Sequence, residues 1–366
     1  MPLHSPTAFA YTETTGSRQN RGQRTVCAVY DRAFFRNHEK LAVIDRAYNG
    51  VLCSTPMTQF EADVRAGLMK VPQKELYSKY FYDALGTALF DAITLLPEYG
   101  LTRADTRLLR KHARELPGRM PNVSVVVELG AGSGDKALEI LPHFVSRRPI
   151  TYCPIDVSTA ALIRCQRDLD HLDNLKIAPI EHSYIEGLTA ASQLRRADGA
   201  VLVLFLGSSI GNFDPPVGES FLKSVRKNLR KDDAVLLGAD LVKPRQQMLR
   251  AYDDELGLTA AFNFNLLARI NRELGGTFNL EGFEHEARYN EAEQRIEMHL
   301  RSTADQTVSI KDFTVSLKRG ETIWTESSYK FRPEQLRAMA ENAGFVPEIQ
   351  WTDPEWPFIQ TLMRPA

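Results

Sequence analysis

The stretch Val123–Lys136 constrains the fold of this chain more than any other. Its apolar, mostly β-branched run ends in the acidic Glu128, and three glycines follow at alternating positions: Gly130, Gly132 and Gly134. A strand, a glycine turn and a helix in this order build a nucleotide site at the carboxyl edge of a parallel sheet. The E-L-G-x-G-x-G form differs from the dinucleotide G-x-G-x-x-G form. Two interpretations of this stretch therefore remain: a purely structural turn, and a site for an adenosine ligand other than a dinucleotide.

The composition excludes several classes of protein. The chain has 366 residues and a formal net charge of -1, whereas a general binder of nucleic acid carries a basic excess. No apolar run approaches the roughly 20 residues of a membrane span, and the N-terminus lacks the pattern of a signal peptide. The four cysteines are scattered and lack metal-ligand spacing. We therefore expect a cytoplasmic protein without a metal site, a nucleic-acid partner or a membrane partner.

Apolar strands alternate with amphipathic helices in the middle of the chain. The strands are predicted near Val123–Leu129, Ile150–Ile155, Leu175–Pro179, Ala200–Phe205 and Ala234–Leu237. Helical periodicity lies between most of them, near Lys136–Val145, Thr159–His171 and Pro216–Leu229. Helices are also predicted before them, at Tyr80–Leu95 and Thr102–Glu115. This alternation indicates an α/β fold in which helices cover both faces of a parallel sheet.

The pattern changes after Lys243, where two helices precede a β-rich segment and a last helix leads to two final strands. The final strands can complete the first sheet, so the β-rich segment reads as an insertion. We predict four parts: an N-terminal extension of unknown role (1–57), N-terminal helices with the main core (58–242), an inserted α+β domain (243–328) and a part that completes the core (329–366).

Asp156 is the second feature that indicates an adenosine ligand. It ends the second predicted strand, about 26 residues after Gly130, where a carboxylate can accept hydrogen bonds from both ribose hydroxyls. The alternative is that Asp156 caps the following helix. Ser158 is the better candidate for that cap, because serine at an N-cap accepts a backbone N–H of the first turn.

A small, polar, glycine-rich loop, Phe205–Phe213, follows the fourth predicted strand. Ligands bind at this edge of such sheets, and Gly207 allows backbone groups to come close to reacting atoms. Asn212 offers an amide donor and acceptor to a ligand. It is equally suited to shaping the loop by bonding its own backbone.

Many runs of the chain, in one order, carry a family resemblance from about Gln59 to the C-terminus. They include Lys79-Tyr-Phe-Tyr-Asp83, Leu96-Pro-Glu-Tyr99, Leu206-Gly-Ser-Ser-Ile-Gly-Asn212, Leu237-Gly-Ala-Asp-Leu-Val-Lys243, Arg295-Ile-Glu-Met-His-Leu-Arg301 and Thr325-Glu-Ser-Ser-Tyr-Lys-Phe-Arg332. The chain resembles the histidine Nα-methyltransferases of ergothioneine biosynthesis. The resemblance implies a Rossmann-like class I methyltransferase sheet with an inserted substrate-binding domain. It also implies S-adenosylmethionine (SAM) as cofactor, L-histidine as substrate and trimethylation of its α-amine to hercynine.

The resemblance also implies roles for individual residues. Tyr82 matches a tyrosine beside the methyl donor and the substrate amine, and is our candidate catalytic residue. The cofactor contacts are matched by Tyr82, Gly130, Lys136, Asp156, Ser183 and Tyr184. The substrate contacts are matched by Tyr99, Asn212, Tyr252, Met298, Glu326 and Ser328, to which the position of Gly207 adds a seventh candidate.

The chemistry of the side chains fits an imidazole. A neutral imidazole has one donor and one acceptor nitrogen, so Glu326 can accept the N–H and Ser328 can serve the other nitrogen. An indole would leave Glu326 buried and unpaired, at a cost of about 2 kcal/mol. From the residues alone, Glu326 could instead pair with Lys330 or Arg332. Met298, Tyr82 and Tyr99 could serve packing only.

The chain departs from the family pattern in three places. The first motif usually reads Gly-Ser-Gly-x-Ser-Glu-Lys, and here it reads Gly130-Ala-Gly-Ser-Gly-Asp-Lys136, so Lys136 remains and Asp135 replaces Glu. A Gly-Asp-Phe run on the adenine side is replaced by His182-Ser183-Tyr184, so Ser183 offers a weaker acceptor than aspartate. Gly100-Leu101 replaces a Tyr-Pro pair after Tyr99, which predicts a looser loop there. Two alternative functions stay open: N-methylation of another amino acid or amine, such as a tryptophan derivative, and a silent SAM-binding partner protein.

Overall fold

The computed structural model describes residues 57–366, so the predicted extension of residues 1–57 lies, except for Met57, outside the described residues. The helices are α1 (Gln59–Leu68), α2 (Ala84–Thr94), α3 (Gly100–His112), α4 (Leu116–Arg119), α5 (Leu141–Val145), α6 (Thr159–Leu169), α7 (Tyr184–Ser192), α8 (Pro215–Lys227), α9 (Arg245–Tyr252), α10 (Leu258–Leu274) and α11 (Pro333–Asn342). Within this range, none of the helices is long and apolar enough to cross a membrane.

The strands form a main sheet, a second sheet and a hairpin. They are β1 (Lys74–Glu75), β2 (Val123–Leu129), β3 (Ile150–Asp156), β4 (Leu175–Ile177), β5 (Ile180–Glu181), β6 (Ala200–Phe205), β7 (Ala234–Asp240), β8 (Phe283–Asn290), β9 (Arg295–Ser302), β10 (Gln306–Ile310), β11 (Phe313–Leu317), β12 (Thr322–Tyr329), β13 (Phe345–Thr352) and β14 (Phe358–Pro365).

The main sheet has the order β13-β14-β7-β6-β2-β3-β4, with β5 also paired to β3. Strands β2 to β7 run parallel, whereas β14 is antiparallel to β7. Every residue of β2, β6 and β7 is buried, because helices cover both faces. The strand order reverses direction at β2, between β3 and β6, and ligands bind in the crevice at such a switch point. The Rossmann-like fold predicted from the sequence is confirmed.

The second sheet has the order β1-β12-β9-β8 and stands beside the β10–β11 hairpin. Its first strand comes from the region before the main sheet and pairs with β12 in parallel, Lys74 opposite Ile323. The chain therefore crosses between the two sheets more than once. The division into parts at residues 243 and 328 stays a prediction.

The predicted helix Tyr80–Leu95 was wrong at its start. α2 begins only at Ala84, because the Asp83 carboxylate caps it by accepting the Gly86 N–H at 2.7 Å. Tyr82 consequently lies in the irregular backbone before the helix rather than on a helix face. The predicted helix near Lys136–Val145 is also divided, and only α5 is α-helical in this stretch.

Gly100 is packed more tightly than the predicted loose loop would allow. It is buried at the start of α3, and a Cβ there would lie 2.1 Å from Cε3 of Trp356. We expect Gly100→Ala to lower the free energy of unfolding by about 1–3 kcal/mol through this clash. Gly118→Ala, in α4, is the control, because nothing lies within 4 Å of its Cβ position. Equal urea midpoints for the two variants would contradict the prediction.

Candidate active site

One cleft of about 590 Å³ opens at the carboxyl ends of β2, β3 and β6, facing β9 and β12 of the second sheet. The glycine loop after β2 and the carboxyl group of Glu326 lie on this same cleft. All of the site residues predicted from the sequence line it: Tyr82, Tyr99, Gly130, Lys136, Asp156, Ser183, Tyr184, Gly207, Asn212, Tyr252, Met298, Glu326 and Ser328. The structure therefore brings the complete predicted set together.

The glycine loop adopts the backbone that its residues predict. Gly130, Gly132 and Gly134 have φ values of +75°, +53° and +79°, which favour glycine. The Asp156 carboxylate accepts the Gly132 N–H and the Ser158 N–H, both at 3.0 Å, and so ties the loop to the end of β3. Ser158 caps α6 by accepting the Ala161 N–H, as predicted. A carboxylate has about four acceptor positions, so Asp156 retains capacity for a ligand.

Glu128 is the last residue but one of β2 and lines the cleft. It is buried, and it accepts a hydrogen bond of 2.5 Å from the Tyr152 hydroxyl. Burial raises its pKa to about 7, against the lowering effects of the Tyr152 hydrogen bond and the Lys136 charge. A carboxyl group with such a shifted pKa inside a cleft is typical of a functional site.

Asp105, which the sequence did not single out, joins three parts of the site. It is fully buried on α3, and its Oδ2 accepts both the Lys136 ammonium and the Gly207 N–H at 2.9 Å. Its Oδ1 accepts the Gln360 amide at 2.6 Å. A Cβ on Gly207 would lie 2.6 Å from Lys136 Nζ, so this glycine gives the lysine its room. The glycine loop and the loop after β6 are thus fixed through one carboxylate.

Ser183 and Tyr184 line the cleft at the start of α7. Ser183 is the N-cap residue of α7 and donates its hydroxyl to Glu186 at 2.5 Å. The Tyr184 hydroxyl lies over the glycine loop, where a Cβ on Gly130 would be 3.0 Å away. Burial raises the pKa of Tyr184 to about 12, so its phenol is neutral.

Aromatic rings form the wall between the two ends of the cleft. Tyr82 meets Phe90 and Phe262 edge-on, with ring centroids 5.6 and 5.7 Å apart. Tyr99 meets Tyr252 in the same manner at 6.3 Å. Burial, reinforced by the charge of Glu326, raises the pKa of Tyr82, Tyr99 and Tyr252 well above the ordinary value. These hydroxyls therefore keep their protons at neutral pH. The sequence reasoning missed Phe90 and Phe262.

Glu326 faces the cleft from β12, opposite Met298 of β9. The register of the two strands shifts between Trp324 and Glu326, so a β-bulge at Thr325 sets the direction of the following side chains. Ser328 lies two residues after Glu326 and therefore shares its face. Within residues 57–366 the Glu326 carboxyl group makes no hydrogen bond or ion pair. Burial raises its pKa to about 7, an effect that Lys330 partly offsets.

The alternative ion pair of Glu326 with Lys330 is wrong in this structure. The Lys330 ammonium lies 3.1 Å from Asp240 Oδ2, and it also contacts the hydroxyls of Tyr252 and Ser328, each at 2.9 Å. Tyr252 and Ser328 bond to one another at 2.7 Å. Glu326 therefore remains available to a ligand.

The raised pKa of Glu326 predicts a cost to stability. The pKa of Glu326 is near its ordinary value in the unfolded chain and about 7 in the folded chain. The folded protein therefore loses stability as the pH rises from the lower of these values through the higher one. We expect Glu326→Gln to raise the free energy of unfolding of the ligand-free protein by about 1–3 kcal/mol near pH 8 and by less near pH 5. Thermal unfolding at both pH values tests this.

Glu297 provides a control of opposite sign. Its pKa is lowered by hydrogen bonds to Arg295 and Asn290 that outweigh burial, so Glu297→Gln should destabilise the protein near pH 8. A Glu326→Gln variant that also loses stability near pH 8 would show that the carboxylate has a stabilising partner.

Comparisons with known proteins agree with this geometry. Residues 60–365 match the model of a family described as histidine-specific methyltransferase, SAM-dependent. The chain is 40% identical to a histidine N-alpha-methyltransferase of Mycolicibacterium smegmatis over 300 residues, covering 81% of this chain and 92% of that protein. It is also 40% identical to the enzyme of that name from Mycobacterium tuberculosis, over 80% and 90% of the two chains. Ergothioneine biosynthesis protein 1 of Neurospora crassa is 28% identical, over 76% of this chain and 32% of that protein. The chain belongs to the family of histidine-specific, SAM-dependent methyltransferases.

Proposed function

We propose that this protein transfers methyl groups from SAM to the α-amine of L-histidine and forms the trimethylated betaine hercynine, a step of ergothioneine biosynthesis. The observation that carries the assignment is the carboxyl group of Glu326, which has no hydrogen-bond or ion-pair partner in the described part of the chain. It lies beside the Ser328 hydroxyl in the cleft that also holds the glycine loop. One acceptor and one hydroxyl match the two nitrogens of a neutral imidazole.

The residues at the β2 and β3 ends fit SAM. The positive-φ glycine loop leaves space for a ligand against the backbone, and the Asp156 carboxylate retains acceptor capacity for ribose hydroxyls. We assign Gly130, Lys136 and Tyr82 to the amino-acid part of the cofactor, and Ser183 and Tyr184 to the adenine. When bound, SAM supplies an electrophilic methyl group on a positively charged sulfur.

The other end of the cleft fits an α-amino acid with a polar ring. We assign Asn212 and Tyr252 to the α-carboxylate, because both offer neutral donors at the cleft. Glu326 accepts the ring N–H, Ser328 serves the other ring nitrogen, and Met298 and Tyr99 pack against the ring. Gly207 brings the backbone close to the reacting groups.

The chain's own residues act mainly by alignment and by exclusion of water. The α-amine must be neutral before each transfer, and the buried surroundings disfavour its ammonium form. The Tyr82 hydroxyl is neutral and can hold the amine directly or through a water. The product cation cannot donate a hydrogen bond, and the faces of Tyr82, Phe90 and Phe262 attract such a cation.

We further propose that residues 243–328 act as the substrate-binding domain and that the protein works in the cytoplasm without a nucleic-acid partner. The formal charge of -1 supports the second point. Cys153 and Cys165 are buried and form no disulfide within residues 57–366, which supports a reducing compartment.

The test is a binding screen of the common amino acids in the presence of S-adenosylhomocysteine, followed by incubation with SAM and mass analysis. We expect L-histidine to bind and to gain one, two and three methyl groups. Methylation of another amino acid but not of histidine would select the alternative enzyme. Cofactor binding without any methylated product would select a silent partner protein.

A further inference from the structure

Lys330 is a buried cation directly behind the part of the cleft assigned to the imidazole. Its side chain is 1% exposed, and its Nζ contacts three acceptors: Tyr252 Oη at 2.9 Å, Ser328 Oγ at 2.9 Å and Asp240 Oδ2 at 3.1 Å. No role for this lysine follows from the glycine loop or from the contacts assigned to the substrate.

The three contacts fix the direction of the hydrogen bonds around Lys330. An ammonium has three N–H donors and no acceptor, so both hydroxyl oxygens must accept from it. Tyr252 and Ser328 also share a bond of 2.7 Å. In the ligand-free cleft Tyr252 donates in this bond, because a phenol is the stronger acid and an aliphatic hydroxyl the better acceptor. A bound α-carboxylate accepts the hydrogen bond of Tyr252 instead. In both states Lys330 donates to both hydroxyl oxygens, so the proton of Ser328 remains for the cleft.

We propose that Lys330 is a positioning residue that makes Ser328 a donor toward the substrate ring, so that the site selects a ring with one N–H and one unprotonated nitrogen. The inference rests on the proposed function and deepens it. Glu326 is an acceptor and Ser328 a donor, so a neutral imidazole satisfies both, whereas a ring that lacks the unprotonated nitrogen leaves the Ser328 proton without a partner.

Lys243 offers a matched control. It is a second buried ammonium on the same carboxylate, at 2.6 Å from Asp240 Oδ1, where the Trp356 indole N–H also donates at 3.0 Å. The hydrogen bonds of Lys243 go to Asp240 and the Leu241 carbonyl, and its Nζ lies 4.9 Å from the centroid of the Trp356 ring. Within the described residues it makes no hydrogen bond to Tyr252 or Ser328. Lys330→Met and Lys243→Met therefore both remove a buried cation from Asp240, but only the first releases the two hydroxyls.

The experiment compares affinities for L-histidine and for pyrrol-2-yl- and pyrrol-3-ylalanine, with S-adenosylhomocysteine present, by titration calorimetry. The pyrroles retain one ring N–H and lack the second nitrogen. We expect the wild-type protein to prefer histidine over the better pyrrole by about tenfold or more. In Lys330→Met the preference should fall to about threefold or less, and in Lys243→Met it should stay within about twofold of wild type.

Two further variants keep the test decisive. Ser328→Ala should lose the preference, and Lys330→Met in that background should lower it no further, because the lysine acts through the serine. Lys330→Gln replaces Lys330→Met if the methionine variant does not fold, since it retains a polar group but can accept from a hydroxyl.

An unchanged preference in the Lys330 variants, an equal loss in Lys243→Met, or additive losses with Ser328→Ala would each overturn the inference. Absence of histidine binding by the wild type would instead overturn the proposed function.

Discussion

Glu326→Ala is expected to lower kcat/KM for L-histidine by about a hundredfold, because the ring N–H loses its charged acceptor in a buried site. The carboxylate favours the polar imidazole over the larger, mostly apolar indole, so the selectivity for histidine over tryptophan should fall as well. Steady-state kinetics with both amino acids measure the two effects. A smaller fraction of folded protein cannot explain this decrease in kcat/KM, because the Glu326 carboxyl group makes no stabilising ion pair or hydrogen bond within the described residues.

Ser327→Ala is the matched control for this prediction. Ser327 is the next residue of β12, and because side chains alternate along a strand it points away from the face that carries Glu326. We expect near wild-type kinetics from this variant. Unchanged histidine kinetics in Glu326→Ala would remove Glu326 from recognition of the ring.

The cofactor end of the site was predictable because its signals are local. The run Val123–Leu129 is entirely apolar or small up to its acidic end, and it forms β2 with those bounds. Asp156 and Ser158 lie two residues apart at a strand end, and Ser158 is the residue that caps the following helix, as predicted. The contact of Asp156 with a ribose stays a proposal. The prediction that the final strands complete the main sheet is also confirmed, since β13 and β14 form one side of it. Two apolar strands at the end of a chain need an existing sheet to pair with.

The groups that the sequence reasoning missed or misassigned depend on contacts between distant segments. Asp105 is one polar residue in a helix with many, and its partners Lys136, Gly207 and Gln360 come from three other elements. Lys330 was considered only as a partner of Glu326, its neighbour on the strand, whereas tertiary packing pairs it with Asp240 of β7. The hydrophobic periodicity of a sequence does not indicate which polar side chains of distant segments will form such pairs.

The bulge in β12 shows how the tertiary structure adjusts a pattern that the sequence does contain. Alternation along β12 places Glu326 and Ser328 on one face. The shift at Thr325 then decides that Met298 is the residue opposite Glu326, and the Thr325 hydroxyl holds this geometry through Asn263 Oδ1 at 2.7 Å and the Met298 carbonyl at 3.0 Å. Register shifts of this kind are set by partners on other elements.

Asp105→Ala is expected to lower both stability and cofactor affinity. It leaves the Lys136 ammonium without its counter-charge and the Gly207 N–H without its acceptor, which should cost about 2–3 kcal/mol of unfolding free energy. The two loops that Asp105 joins carry proposed contacts to the cofactor and the substrate, so the affinity for SAM should fall by about tenfold or more. Urea denaturation and titration calorimetry with S-adenosylhomocysteine measure the two effects.

Two further variants separate the charge of Asp105 from its hydrogen bonds. Asp105→Asn can still accept from Gly207 and Lys136 through its oxygen, so it should lose less stability than Asp105→Ala. Adding Lys136→Met to Asp105→Ala removes the unpaired ammonium, and we expect this double variant to regain part of the stability while it still binds the cofactor weakly. Strictly additive losses of stability would mean that the two side chains do not form a coupled pair, and recovery of cofactor affinity would mean that Lys136 does not contact the cofactor.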